Sequence, residues 1–444
     1  MNTGRHDPAP VRQSALAILA LFSLSHGVDA AGFAIDGQSA RSLGSANAGS
    51  AAVAEDASTI AYNPAGIIRL EKPEFTASAT IVNAAVPFTS AGSTIATGQP
   101  NLGRNDDAGT VAFLPNLFLA SPLAPNLAVG LGMFPSFGLK TDYQRGWVGR
   151  YEAESTELTS LDFAPTLAYR LTPELSVGGG PVARYSQAKL SSSIDFGSLG
   201  AALGIPGSIP GQTDGNVKIR GSDWSFGFNA GILIEPSPGT RLGLAYFYNQ
   251  AAKLSGAAVF ERPEIGNVIS AASGAFVQTG AAARLAYPDR LNFGVVHAVS
   301  PALDARAGLT WTLWHSLKEL RIHFANPDQP DAVTNDNWRD RLAYAIGATY
   351  RVDPALVLRV GVSYDPTPVP DVTHREPRIP DSDRLMLAIG AGYAWSDDTR
   401  IDVAYEHIFN NTGSIDVSSP SADRLIGKTG LSADIFALQL TLRY

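Results

Sequence analysis

The chain contains no cysteine, which excludes disulfides and thiolate metal sites. Beyond its N-terminal leader it has no uninterrupted apolar run of about eighteen residues, so helical membrane spans are not expected. No basic cluster offsets the formal charge of −8, which argues against a nucleic-acid partner. No histidine is followed two residues later by a serine on the same strand face. The positions after His297, His315, His323, His374 and His407 hold Val299, Leu317, Ala325, Glu376 and Phe409. That removes one hydrolytic arrangement, and nothing points to a triad built from distant residues. Gly178-Gly-Gly180 lacks a phosphate-loop pattern, and no metal-ligand cluster is present. The chain is read as a non-enzyme with no cofactor and no metal.

The leader itself is informative. Arg5 and Arg12 precede an apolar stretch from Ala15 to Leu24, and Val28-Asp-Ala30 supplies small residues for cleavage. This is a signal peptide over residues 1–30, too short in its apolar part to span a bilayer comfortably. Export is the first expectation.

What the exported part has in abundance is alternation. Phe436, Leu438, Leu440, Leu442 and Tyr444 share one strand face, and Ala437, Gln439, Thr441 and Arg443 share the other. Leu356 to Tyr364 repeats the pattern, with Arg359, Gly361 and Ser363 opposite Leu358, Val360 and Val362. Asp402 and Glu406 oppose Ile401, Val403 and Tyr405; Asp304 and Arg306 alternate with Ala305, Ala307, Leu309 and Trp311. Leu242, Leu244, Tyr246 and Tyr248 form a further apolar face. Charges repeatedly on one face of apolar strands are costly in a dry core and natural in a wet lumen.

Connections alternate as well. Short turns fall at Ser121–Asn126, Thr172–Glu174, Glu235–Gly239, Ser300-Pro301, Asp353-Pro354 and Ser396–Asp398. Long segments lie at 87–107, 137–154, 193–216, 255–283, 323–337, 367–382 and 412–430. This asymmetry predicts an all-β, antiparallel transmembrane barrel of about fourteen strands over residues 74–444, in the bacterial outer membrane. Its last strand is expected to face lipid at Phe436 to Tyr444 and to pair with the first near Phe75. Residues 31–73 show little alternation but carry Phe33, Ile35, Leu43, Ile60, Tyr62, Ile67, Ile68 and Leu70, so a plug inside the barrel is the economical reading.

In these features, and in the motifs Ala31-Gly32-Phe33, Asp56 with Asn63-Pro64-Ala65, Asn337-Trp338-Arg339-Asp340 and Pro380-Asp381-Ser-Asp383-Arg384, the chain resembles the FadL-type outer-membrane transporters of long-chain fatty acids and other hydrophobic molecules. The resemblance covers essentially the whole exported part. It implies a fourteen-stranded barrel closed by an N-terminal hatch, with Asn63, Pro64 and Ala65 among the gating residues. It further implies passive capture of an apolar ligand on extracellular loops, transfer to a lumenal pocket, and lateral release beside a kinked third strand. Pro135 would make that kink, because it cannot donate to a ladder.

Long-chain fatty acids are the expected cargo, and aromatic hydrocarbons the alternative within this class. A general diffusion porin or a structural barrel is the alternative outside it. Loop 193–216 carries Phe196, Leu199 and Leu203, and loop 255–283 carries Phe260, either as a landing surface or packed on one another. A fatty-acid carboxylate favours a cation in a dry pocket. The resemblance places basic contacts near Ser192, where this chain departs, and Arg321. Alternation turns Arg184 and Lys318 inward, and Arg321 outward unless a bulge intervenes. Inward charges belong more often to lumen networks than to ligand sites. Phe33, at the hatch terminus, is expected to reach and gate the pocket, whereas Trp147 and Tyr151 read as interface girdle. Partners are the ligand, outer-membrane lipid and lipopolysaccharide, around a monomer.

Overall fold

The computed structural model describes residues 32–409, 411–419 and 421–444; the expected signal peptide over 1–30 lies outside them. The described chain forms a closed antiparallel barrel of fourteen strands, as the alternation predicts. The first seven are β1 (Glu74–Ala85), β2 (Val111–Ala124), β3 (Leu127–Phe134 and Gly138–Asp142), β4 (Ser155–Arg170), β5 (Leu175–Asp195), β6 (Asp214–Ser237) and β7 (Thr240–Asn249 and Ala252–Glu261). The rest are β8 (Thr279–Leu285 and Arg290–Ser300), β9 (Leu303–Thr312 and Glu319–Phe324), β10 (Ala332–Asn335 and Arg341–Arg351), β11 (Leu356–Asp365), β12 (Arg384–Ala394), β13 (Thr399–Phe409) and β14 (Ser432–Arg443). Closure is made by β1 on β14, with Phe75 opposite Leu442 and Ile81 opposite Phe436. Closure gives every strand of the wall a partner on both sides, the condition for a sheet in lipid.

Parity decides each face. Leu358, Val360, Ile389, Phe436 and Leu438 are exposed on the outside, while Arg359, Asp402, Glu406 and Gln439 are buried inside. The short turns fall where the sequence places them, at the end opposite the long loops. Four long segments are shorter than expected, including 193–216, which loses both ends to strand, and 323–337, whose loop spans only 325–331. Ala252–Glu261 and Thr279–Leu285 are paired strand, so that loop spans only 262–278, and Gly138–Asp142 is strand too. Their runs of Ala, Gly and Ser give no apolar contrast between faces, so the ladder continues above the membrane without a readable period.

Residues 32–73 run inside the barrel as short helical turns, at Ala40–Leu43, Ser50–Val53, Ala57–Ala61 and Pro64–Arg69. They are held by charge and by close approach. Arg41 lies 3.1 Å from both Asp56 and Asp402, Arg359 reaches Asp402 at 2.8 Å, and Arg306 reaches Glu55 at 2.7 Å. Asp56 also accepts a 2.8 Å hydrogen bond from Gln439 on β14. Buried charges persist only when paired in this way. Asn63 caps the turn at Pro64–Arg69 by accepting from the Ala65 amide, and donates to the Ile232 carbonyl of β6 at 2.9 Å. The wall there is Gly178 opposite Gly231. A Cβ on Gly231 would stand 2.0 Å from the Asn63 side-chain oxygen, and one on Gly178 2.6 Å from the Ala65 nitrogen. The small residues of β5 and β6 therefore make room for Asn63-Pro64-Ala65.

Candidate functional site

Five wall strands break at one level of the lumen, and their breaks supply the site. β3 breaks at Pro135-Ser-Phe137, the kink expected from Pro135. β2 pairs with β3 only up to Leu117 opposite Met133, so above this point the two strands part and leave a gap in the wall. The inner segment backs that gap. The Ile35 amide donates to the Ser136 carbonyl and the Gly138 amide to the Phe33 carbonyl, both at 2.9 Å.

Phe33 sits at the focus of the breaks. Its ring centroid lies 5.9 Å from Phe137 of β3, 6.1 Å from Tyr287 in the break of β8, 5.1 Å from Trp314 in that of β9, and 6.0 Å from Trp338 in that of β10. Tilted and edge-on ring pairs at these separations contribute about 0.5–1.5 kcal/mol each beyond simple burial. Phe33 is thus an anchor as well as a stop.

Above Phe33 lie two continuous apolar cavities. The inner one, about 80 Å³, has Phe33 in its lining together with Leu139, Leu158, Leu190, Leu254 and Ile322. The outer one, about 310 Å³, opens among the loops between Leu199, Phe260, Phe276 and Phe324. Leu190, Ile219, Leu320 and Ile322 line both, so they form one path.

The predicted contacts divide. Phe33, Leu199 and Phe260 line the path. Phe196 is fully buried against Phe276 behind it, and Leu203 is exposed on the loop surface, as a landing residue would be. Arg184 faces inward but its guanidinium is held by Asp162 at 2.6 and 2.7 Å, and stacks over Phe137 and Tyr287. Because Asp162 also accepts from Ser136 at 2.8 Å, Arg184 braces the kink. Lys318 is exposed and lines neither cavity, because the break at 313–318 turns it out of register. Arg321 is outward, half-exposed and paired with Glu319 and Asp331. Trp147 and Tyr151 are buried among the loops instead of ringing the barrel; Trp147 stacks on Tyr143 at 3.7 Å and donates to the Ala153 carbonyl.

Sequence reasoning missed Arg378. It lies in loop 366–383 and is the one cation lining the outer cavity. Its guanidinium donates to neutral oxygens, the Glu152 carbonyl at 2.6 Å and Thr156 Oγ1 at 3.3 Å, and among the described residues it has no carboxylate within ion-pair distance. Burial lowers its pKa, against the opposing pull of Glu376, Glu152 and Glu154. Burial, with Glu376 nearby, pushes the Glu152 carboxyl up to about 8, and burial likewise raises Glu376. Burial thus makes Glu152 and Glu376 less charged near neutral pH than free carboxylates, which weakens their hold on the guanidinium. No spacing rule marks Arg378, since loop 366–383 reaches the cavity only through folding.

A family model for outer membrane protein transport proteins (OMPP1/FadL/TodX) matches residues 21–444. The chain belongs to this family. It is an outer-membrane transport protein. The long-chain fatty acid transport protein of Escherichia coli K12 is 29% identical over 427 residues, covering 91% of this chain and 93% of that one. Outer membrane protein P1 of Haemophilus influenzae is 27% identical, covering 89% of each. Among solved structures, a Pseudomonas aeruginosa FadL homologue superposes with a TM-score of 0.86 at 24% identity, over 93% of this chain and 100% of that one. The Ralstonia pickettii toluene transporter TbuX gives 0.66 at 21%, over 95% and 100%. At these identities the structures speak for the fold alone.

Proposed function

We propose that this protein carries long-chain fatty acids across the outer membrane by passive diffusion. The carrying observation is the unbroken apolar path from the loops to Phe33, the residue whose backbone also holds the kinked strand at the wall gap. A ligand lands on exposed Leu203 and Val268, enters the outer cavity, and sets its carboxylate on Arg378 while its tail fills the inner cavity. Tail and Phe33 then compete for the same aromatic cage. Displacing Phe33 loosens the hydrogen bonds at Ser136 and Gly138, and the ligand leaves sideways between β2 and β3. Residues 32–73 act as the hatch, with Asn63, Pro64 and Ala65 fixing its position. The chain works as a monomer, and no chemical step is involved.

Aromatic hydrocarbons are the second reading, favoured by an inner cavity that is narrow and by Ser192 where the resemblance implies a base. Uptake of oleate and toluene by cells with and without the protein separates the two. Arg378→Gln is expected to raise the oleate concentration for half-maximal uptake about tenfold and leave toluene unchanged. If toluene alone enters faster than in cells lacking the protein, the hydrocarbon reading replaces the first. If neither does, the transport reading falls.

A further inference from the structure

The outer wall carries a charge arrangement that transport does not use. On β7 and β8 Lys253 stands directly opposite Arg284, both exposed on the outside. Two outward-facing rows nearer the loops, four residues along β6 from Trp224, Lys189 of β5 stands opposite Arg220 of β6. Lys189 is paired with Glu157 at 2.9 Å, whereas Arg220, Lys253 and Arg284 have no ion pair among the described residues. Like charges facing each other across neighbouring strands destabilise a sheet unless an anion lies between them. Their clustering is also unexpected in a chain of formal charge −8.

Position narrows the partner. Tyr185 pairs with Trp224 across β5 and β6, and Lys253 continues that row, since Ser255 pairs with Ser222 and the Lys253 amide donates to Asp223 at 2.6 Å. Trp224 is exposed, an aromatic at the end of the barrel that carries the long loops. Such rings mark the level where acyl chains give way to head groups, and long loops mark the extracellular side. Beside the pair a polar cleft opens between Asn249, Gln250, Lys253, Arg284 and His315. Arg presents a fork matched to phosphate oxygens, and Lys adds a point charge.

We propose that Lys253 and Arg284 bind a phosphate of a phosphorylated glycolipid in the outer leaflet, whose acyl chains lie along the wall beside Trp224. The bound lipid seats the barrel at a set depth and does not enter the transport path.

Native mass spectrometry of the purified mature protein tests this with bisphosphorylated lipid A, the same lipid dephosphorylated, and inorganic phosphate. Wild type should retain the bisphosphorylated lipid roughly tenfold better than the dephosphorylated one. Lys253→Glu with Arg284→Glu should abolish the difference. Lys253→Gln with Arg284→Gln should weaken it in a protein whose heat-dependent gel shift proves it folded. Equal retention of both lipids by wild type, or unchanged preference in either folded variant, overturns the proposal. So does displacement of lipid A by inorganic phosphate at equal concentration, which would make this a free-anion site.

Discussion

The two halves of the lumen are built on opposite principles. Below Phe33 the space is filled by the inner segment and crossed by paired charges, Arg41 with Asp56 and Asp402, Arg359 with Asp402, Arg306 with Glu55. Above it Leu, Ile and Phe predominate, with Arg378 and the polar Glu152, Ser192, Gln329 and Asp331 at the outer cavity. An apolar ligand that reaches Phe33 meets a charged network it cannot enter without breaking ion pairs, each costing several kcal/mol when one partner is left buried and alone. The wall gap beside β3 is the cheaper route. On the proposed route, the contrast between a bolted lower half and an open upper half is what would direct cargo sideways.

The most forceful way to break this contrast is to remove the lower half. Deleting residues 33–72 should turn a closed barrel into an ion-conducting pore, read as stepwise conductance in a planar bilayer; an unchanged, silent membrane would mean the segment is not the seal. Next in size is a lock at the junction. Ala34 and Phe137 face each other across an antiparallel bridge, the close type of pair that suits a disulfide, and the chain has no other cysteine. Ala34→Cys with Phe137→Cys should lose most oleate uptake under oxidation and regain it with reductant, whereas full uptake by the locked form would remove the gap from the route.

Smaller effects sharpen the upper half. Because burial, with Glu376 nearby, holds the Glu152 carboxyl at about 8, it is largely neutral below that pH; above it, an added negative charge competes for the guanidinium. Oleate binding should therefore weaken several-fold between about pH 7 and about pH 9, and Glu152→Gln should flatten the profile. A binding curve flat in wild type would detach Arg378 from the carboxylate. Least of all, Gly231→Ala should destabilise the barrel by about 1–3 kcal/mol through the clash with Asn63, measured as a lower thermal midpoint with wall strands intact.

How much of this was legible follows from the range of the forces involved. Strand parity, the short turns and the closing tail are local, written into side-chain alternation, and all are found where the sequence puts them. Arg184 was readable in part, since alternation turns it inward; its registration opposite Asp162 needed the structure. Arg321 illustrates the converse. Alternation turned it outward while the resemblance drew it in, and the structure sides with alternation.

By itself, then, the sequence determined an outer-membrane barrel of about fourteen strands with an apolar outside and a charged inside, because a period of two and turn chemistry act over a few residues. Only the tertiary structure decided where the breaks of β3, β8, β9 and β10 converge on Phe33, and which cation reaches the cavity. Those juxtapositions depend on how the sheet closes and how its strands are staggered, and residues brought together that way share no spacing along the chain.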